Sequence, residues 1–287
     1  MKARFLQNPS LASCAGLVAF TGLAPPAVAQ STLERIQEEN VIRVGVADEA
    51  PYGYRTADGT ITGEAPEIAR KILARIDPEI EIEGEVIPFG QLIDALNAGE
   101  IDMIAAGMFI TPERCQRVAF SNPTYQVGEA FAVQSGNPKE LTDYESIAAH
   151  PDARLGVMAG AVEYNYAYDA GIEPERVDLY PDYWKALDAL KEGEVDAIGM
   201  TSLTVRDLVD DAPFAEATAQ FYPVLDGEPV VGYGAFAFRE EDADLRQAFD
   251  EHLDGFIGSD EHWETVAPFG FTPEMAPDKT AEQLCQG

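Results

Sequence analysis

The chain has 287 residues, 46% of them hydrophobic, and a formal net charge of −32 at pH 7. Such acidity excludes polyanionic partners, nucleic acid and anionic membranes, since like charges repel at long range. The hydrophobic content and regular periodicity exclude whole-chain acidic disorder, leaving a folded surface suited to high salt, where self-repulsion is screened, and so a halophilic bacterium.

Residues 1–29 read as a cleaved leader. Lys2 and Arg4 make a basic start, Leu11 to Leu23 is apolar, and Ala27-Val28-Ala29 is a small-residue cleavage pattern. The competing reading, a lipoprotein signal at Leu11-Ala12-Ser13-Cys14, has its apolar run on the wrong side of the cysteine. No other stretch is long and apolar enough to span a bilayer, which gives a periplasmic address. About 257 residues remain, enough for one large or two medium domains. In an oxidising compartment Cys115 and Cys285 can pair, tying the tail to the segment that carries Arg114; two unrelated thiols are the alternative.

In chain order, Ser31 to Asn40 reads as an amphipathic helix and Val41 to Val46 as a strand, followed by the loop Asp48 to Tyr54. Asp58-Gly59 marks a hairpin turn. Ala65, Ile68, Ala69, Ile72, Leu73 and Ile76 are spaced as one helical face. Glu81 to Pro88 alternates as a strand, and Phe89 to Ala98 is a helix closed by Gly99. The pattern then repeats. Ile93 to Asp102 is matched by Leu187 to Asp196, and Arg43-Val-Gly-Val46 by Arg154-Leu-Gly-Val157. Two matches in the same order predict two α/β lobes of similar wiring, each a small, mostly parallel sheet with flanking helices. The strand Phe131-Ala132-Val133 and the segment Tyr233 to Phe238 read as the crossings. Lobe one is therefore expected over residues 30–132 plus 235–287, and lobe two over 133–234. Leu245 to Ile257 reads as a closing helix.

Ligands of open parallel α/β sheets sit beyond the carboxyl ends of the strands. The loops there carry Glu49, Tyr52, Phe89, Phe109, Thr111 and Arg114 in the first lobe, and residues 158–163 and 199–202 in the second. Thr111 is a good N-cap with Pro112 at the first helical position, so free amides and the Arg114 guanidinium would form an anion site. Tyr52, Phe89 and Phe109 are each, taken singly, explained by packing. All three at strand ends read as an aromatic box, and Glu49 adds one acid. The sum fits a small zwitterion with a diffuse cation.

Val44-Gly45-Val46 after Arg43, Gly107-Met-Phe-Ile-Thr-Pro-Glu-Arg114, Phe120-Ser-Asn-Pro-Thr-Tyr125 and Gly193-Glu-Val-Asp196 resemble the family 3 solute-binding proteins of ABC importers, across essentially the whole mature chain. The resemblance implies a two-lobed periplasmic binding protein of type II, hinged by two crossing strands. It also implies that Arg114 and Thr111 hold the ligand carboxylate and that Gly160 and Ala161 contribute from lobe two. Phe109 replaces the small hydroxyl residue of the amino-acid binders, and Thr201 stands where they carry the acid that pairs with the ligand ammonium. Within the family the loops look most like the ectoine/hydroxyectoine binders. That likeness implies Glu49 against the amidinium of ectoine, Tyr52, Phe89 and Phe109 as the box, and Asn165 and Thr201 as polar contacts.

The expected partners are ectoine or hydroxyectoine and a membrane permease, for a monomer with no cofactor, metal or nucleic acid. A polar or cationic amino acid is the near alternative. A periplasmic dehydratase on the same scaffold would need a general acid or base over the substrate; His150, His252 and His262 lie far from the cleft loops, leaving Glu49 and Glu163. A receptor sensor domain is disfavoured because no membrane segment precedes Gly287.

Overall fold

The computed structural model describes residue 1, residues 30–225 and residues 227–286. The leader, beyond residue 1, lies outside the described residues. No helix among them is long and apolar enough to cross a membrane.

Ser31 caps the helix Thr32–Glu39 in a capping box with Glu34, and Asn40 ends it in the left-handed region at φ 58°. There follow β1 (Val41–Val46), then β2 (Tyr54–Arg55) and β3 (Ile61–Thr62), which pair across the Asp58-Gly59 turn. The helix Glu64–Ile76 buries Ala65, Ile68, Ala69, Ile72 and Leu73, the predicted face. Next come β4 (Glu81–Val86), a single turn at Phe89–Gln91, the helix Leu92–Asn97, β5 (Met103–Phe109), β6 (Ala119–Phe120) and β7 (Tyr125–Val127).

A second series begins with β8 (Glu129–Gln134) and continues through β9 (Leu155–Met158), the helix Glu163–Asp169 and β10 (Val177–Tyr180). The helix Tyr183–Glu192, β11 (Ala197–Thr201), the helix Ser202–Asp210 and β12 (Ala215–Ala217) complete it. The hairpin strands β13 (Val224–Leu225) and β14 (Glu228–Pro229) precede β15 (Gly232–Phe238).

The first sheet runs β4-β1-β5-β15-β6, with β7 also on β15; the second runs β10-β9-β11-β8-β12. In each, a central strand pairs in parallel with both neighbours: β1 with β4 and β5, and β9 with β10 and β11. An antiparallel strand follows on the same side, β15 beside β5 and β8 beside β11. The sequence repeat has a physical counterpart here. The Arg43 amide donates to Asp102 Oδ2 at 3.0 Å, and the Arg154 amide donates to Asp196 Oδ2 at 2.8 Å. The repeated Asp thus ties the start of the third strand to the start of the first in both lobes.

Sheet membership corrects the expected crossings. Phe131-Ala132-Val133 belongs to β8 and so to the second sheet, which begins at Glu129 rather than beyond residue 132. The chain leaves the first sheet after Val127 and re-enters it at Gly232. Beyond Gln134, which ends β8 beside Ala215 of β12, Ser135-Gly136-Asn137-Pro138 turns within the second series. In the first lobe the helix Ala243–Leu253 buries Leu245, Phe249 and Leu253, with Phe249 against Phe236 and Phe238. Each such side chain contributes roughly 1.5–3 kcal/mol on burial.

Candidate functional site

Loops at the carboxyl ends of β1, β5, β9 and β11, with the turn after β4, converge on one cavity of about 30 Å³. It is lined by Glu49, Tyr52, Phe89, Ala106, Gly107, Phe109, Arg114, Met158, Ala161, Val162, Glu163 and Thr201. Seven of the residues singled out from sequence meet here: Glu49, Tyr52, Phe89, Phe109, Arg114, Ala161 and Thr201. Hydrogen bonds join the two lobes around the cavity.

The first of these is a chain. Tyr52 Oη donates to Thr201 Oγ1 at 2.9 Å, Thr201 Oγ1 donates to Thr204 Oγ1 at 3.1 Å, and Thr204 Oγ1 donates to Glu49 Oε1 at 2.8 Å. Thr201 also accepts from the Thr204 amide as the N-cap of the helix Ser202–Asp210. Its one donor and two acceptor positions are therefore all in use. Burial pushes the Glu49 carboxyl up to about 8 against the Thr204 hydrogen bond, with Glu163 nearby adding to the rise.

Arg114 supplies the second cross-lobe link. Its Nη1 donates to the Phe109 carbonyl at 2.8 Å and its Nη2 to the Gly160 carbonyl at 3.0 Å. The guanidinium lies 5.3 Å from the centre of the Phe89 ring, within cation–π range. Burial lowers its pKa and Glu163 opposes that shift; an arginine in this setting stays charged at neutral pH. Among the described residues it makes no salt bridge, which leaves N–H groups for an anion.

The aromatic walls are held by their own packing. The Tyr52 ring stacks on Tyr125 at 5.1 Å, and Tyr125 Oη donates to the Gly107 carbonyl at 2.8 Å. Gly107 has φ 63°, and a Cβ there would lie 2.6 Å from Tyr52 Cδ1, so only glycine lets the ring cover β5. Phe109 packs where a side chain at Gly232 would stand, at the point where the chain re-enters the first sheet.

Three expected residues, Thr111, Gly160 and Asn165, do not line this cavity. Thr111 does not cap an α-helix: beyond it the chain makes one 3₁₀ turn, Arg114–Gln116, and Thr111 Oγ1 accepts from the Arg114 amide at 3.2 Å. The chain then enters β6 at Ala119. Thr111 and Asn165 line an adjoining groove of about 1050 Å³, beyond the wall formed by Phe109 and Val162. Asn165 sits one turn on from Val162, so their shared helix face carries it outward. Gly160 meets Arg114 through its carbonyl and also touches Gly90: a Cβ on Gly160 would lie 2.4 Å from Gly90 Cα.

Sequence reasoning missed Thr204, Tyr125 and Gly90, and weighed Glu163 only as a catalytic acid. The Thr201-Ser-Leu-Thr204 spacing, a cap followed three residues later by a polar group, was a legible signal for Thr204. Nothing local marks Gly90, and Tyr125 ends the motif Phe120–Tyr125 without a sign of its place behind Tyr52. Burial pushes Glu163 up to about 7, with Arg114 pulling the other way. None of the three histidines lines the cavity. Cys115 and Cys285 are joined as a disulfide, which fixes the tail to the Arg114 turn.

Residues 42–269 match the model of bacterial extracellular solute-binding proteins, family 3. A probable amino-acid ABC transporter periplasmic-binding protein of Sinorhizobium fredii is 34% identical, over 99% of this chain and 95% of that protein. The L-arginine-binding protein of Pseudomonas aeruginosa is 27% identical over 78% of this chain and 85% of its own. Among solved structures, EhuB in complex with hydroxyectoine superposes with a TM-score of 0.80 at 36% identity, covering 88% of this chain and 97% of that one. The two sheets with matching wiring are those of a type II, two-lobed periplasmic binding protein. The chain belongs to the bacterial extracellular solute-binding proteins, family 3, and is a solute-binding component of an ABC importer.

Proposed function

We propose that the two lobes close on ectoine or hydroxyectoine and present the closed form, as a periplasmic monomer, to a membrane permease. One observation carries the reading: Arg114, without a carboxylate partner among the described residues, shares an aromatic-walled cavity with Glu49. A cyclic amidinium carboxylate matches both poles, its carboxylate on Arg114 and its delocalised cation between Glu49 and the rings of Tyr52, Phe89 and Phe109. Micromolar capture needs about 8 kcal/mol net. Desolvated cation–π contacts at roughly 0.5–2 kcal/mol each, together with a charge-assisted Arg–carboxylate pair, are of the right size. The likeness to a hydroxyectoine-bound structure supports the assignment.

The ligand enters by replacing bonds the lobes make to each other. Its carboxylate takes the Arg114 donors, and its cation competes for Glu49 with the Thr204 hydroxyl. The residue at the position of the amino-acid binders' acid is Thr201, an uncharged group whose hydrogen bonds are internal. That disfavours a localised ammonium.

The second reading is a cationic amino acid, favoured by the carboxylates gathered at the cleft and by relatives named for arginine. Isothermal titration with ectoine, hydroxyectoine, arginine and glutamine decides between them. Heat with either ectoine and none with the amino acids is the expected result; no heat with either ectoine refutes the proposal.

A further inference from the structure

The cavity holds one basic side chain and two carboxylates, and the two carboxylates differ in how they are satisfied. Glu49, on the loop after β1, accepts from Thr204. Glu163 opens its helix on the other lobe, is 5% exposed and lines the same cavity, yet among the described residues its Oε2 has no hydrogen-bond partner. A buried carboxylate oxygen without a donor is costly and rare. The nearest cation does not satisfy it, since the Arg114 bonds go to the Phe109 and Gly160 carbonyls.

Behind Glu163 stands Glu129, the first residue of β8, also buried and with an Oε2 that likewise has no partner among the described residues. The charged and titratable groups facing Glu163 are Glu49 from the β1 loop, Arg114 from the β5 turn and Glu129 from β8. Tyr144 faces it from the helix Tyr144–Ala149 and Tyr166 from its own helix. Three acids face one arginine here, and the bonds of that arginine go to backbone carbonyls. This end of the cleft is therefore short of both positive charge and N–H donors.

We propose that Glu163 is a second cation-binding carboxylate, placed on the lobe opposite Glu49, so that the site selects zwitterions whose delocalised cation carries diverging N–H donors. The proposal rests on the zwitterion reading above and sharpens its ligand class. An amidinium or guanidinium directs N–H groups to two sides and can bond an acid from each lobe. A quaternary ammonium has no N–H and can use only the aromatic faces. The arrangement also couples closure to recognition, because the cation bridges acids that come together only when the lobes meet. Burial holds Glu49 up to about 8 and Glu163 up to about 7 before a cation arrives. A bound cation favours their ionised forms, so binding near pH 7 releases protons.

The test titrates the wild-type mature protein, Glu163→Gln and Glu163→Asp with ectoine, arginine and glycine betaine. Each titration is run at pH 7 in two buffers of different ionisation enthalpy, with a urea midpoint for each protein. The expected result is a tenfold or greater loss of affinity in Glu163→Gln for whichever N–H cation the wild type binds. Fewer protons are released, the urea midpoint is unchanged or higher, and Glu163→Asp lies between. If Glu163→Gln does not fold, the same loss in Glu163→Asp carries the test. Glu163→Gln affinity within twofold of wild type with unaltered proton release overturns the proposal, as does tighter binding of glycine betaine than of either N–H cation. Wild type that binds arginine but not ectoine refutes the ectoine reading alone and leaves the Glu163 comparison to be read with arginine. Binding of none of the three overturns both.

Discussion

Tyr52 Oη donates to Thr201 Oγ1 at 2.9 Å across 149 residues of chain, and the bond joins the two lobes over the cavity. Each residue does structural service as well. The Tyr52 ring is a wall stacked on Tyr125, and Thr201 is the N-cap of the helix Ser202–Asp210. Replacing Thr201 by Val removes the cap, strands the Tyr52 hydroxyl and ends the relay to Glu49. A loss of about 1–2 kcal/mol in unfolding free energy is expected from urea denaturation. Tyr52→Phe keeps the ring and should cost less. Equal stability of Thr201→Val and wild type would mean that the relay is not formed in solution.

Arg114 is the pole that the ligand carboxylate needs. Arg114→Ala should lower affinity for the bound zwitterion by at least about a hundredfold, in line with the 2–5 kcal/mol lost when one side of a buried charge pair is truncated. Arg114→Lys should recover little of this, because lysine cannot reproduce the planar fork that reaches the Phe109 and Gly160 carbonyls. Titration calorimetry reads both, and near-wild-type affinity in Arg114→Ala would remove the carboxylate from this position.

Gly90 and Gly160 meet backbone to backbone across the cleft. Gly160 has φ 83°, and a Cβ on it would lie 2.4 Å from Gly90 Cα; a Cβ on Gly90 would lie 2.9 Å from the Ala159 carbonyl oxygen. Gly160→Ala therefore meets both a strained backbone and a backbone clash that arises when the lobes are together. Small-angle scattering should show wild type contracting with saturating ligand and Gly160→Ala contracting less, with weaker affinity. Gly99→Ala, a left-handed glycine with open space around it, is the control.

Stability should fall as pH rises. Burial pushes Glu64 up to about 8, where its Oε1 accepts from the Thr124 hydroxyl. Its unfolded value is near 4.3, so between the two values the folded chain binds the extra proton and the slope of unfolding free energy with pH is negative. The contribution is complete below about pH 4 and lost by about pH 8. The urea midpoint of ligand-free protein should be lower at pH 8 than at pH 5.5, and Glu64→Gln should flatten the trend. Asp102 acts in the opposite sense: burial raises it, but hydrogen bonds from Arg43 and Arg35 outweigh burial and hold it below its usual range. That contribution fades only in stronger acid, so it does not mask the trend. A midpoint that rises from pH 5.5 to pH 8 would refute the assignment.

Much of the fold was legible because its determinants are local. The spacing of Ala65, Ile68, Ala69, Ile72 and Leu73 matches the helix Glu64–Ile76, and the alternation from Glu81 matches β4. The repeated Gly-Glu-Ile/Val-Asp marked both lobes, since each copy performs the same carboxylate-to-amide tie at a strand start. Strand-end loops placed Glu49, Tyr52, Phe89, Phe109 and Arg114 at one cavity, because parallel sheets point those ends the same way.

What the tertiary structure alone decided are relationships between residues far apart in the chain. The relay from Tyr52 through Thr201 and Thr204 to Glu49 spans sequence separations of 149 and 155, and no periodicity encodes it. Thr111 reads locally as a helix cap, but the chain beyond it makes one 3₁₀ turn before β6 pairs with β15. Asn165 looks like a cleft residue until the direction of its helix puts it on the adjoining groove. Local propensity sets which elements form and which loops carry polar groups. Which of those groups meet, and which buried acid is left without a donor, depends on how the lobes pack against each other.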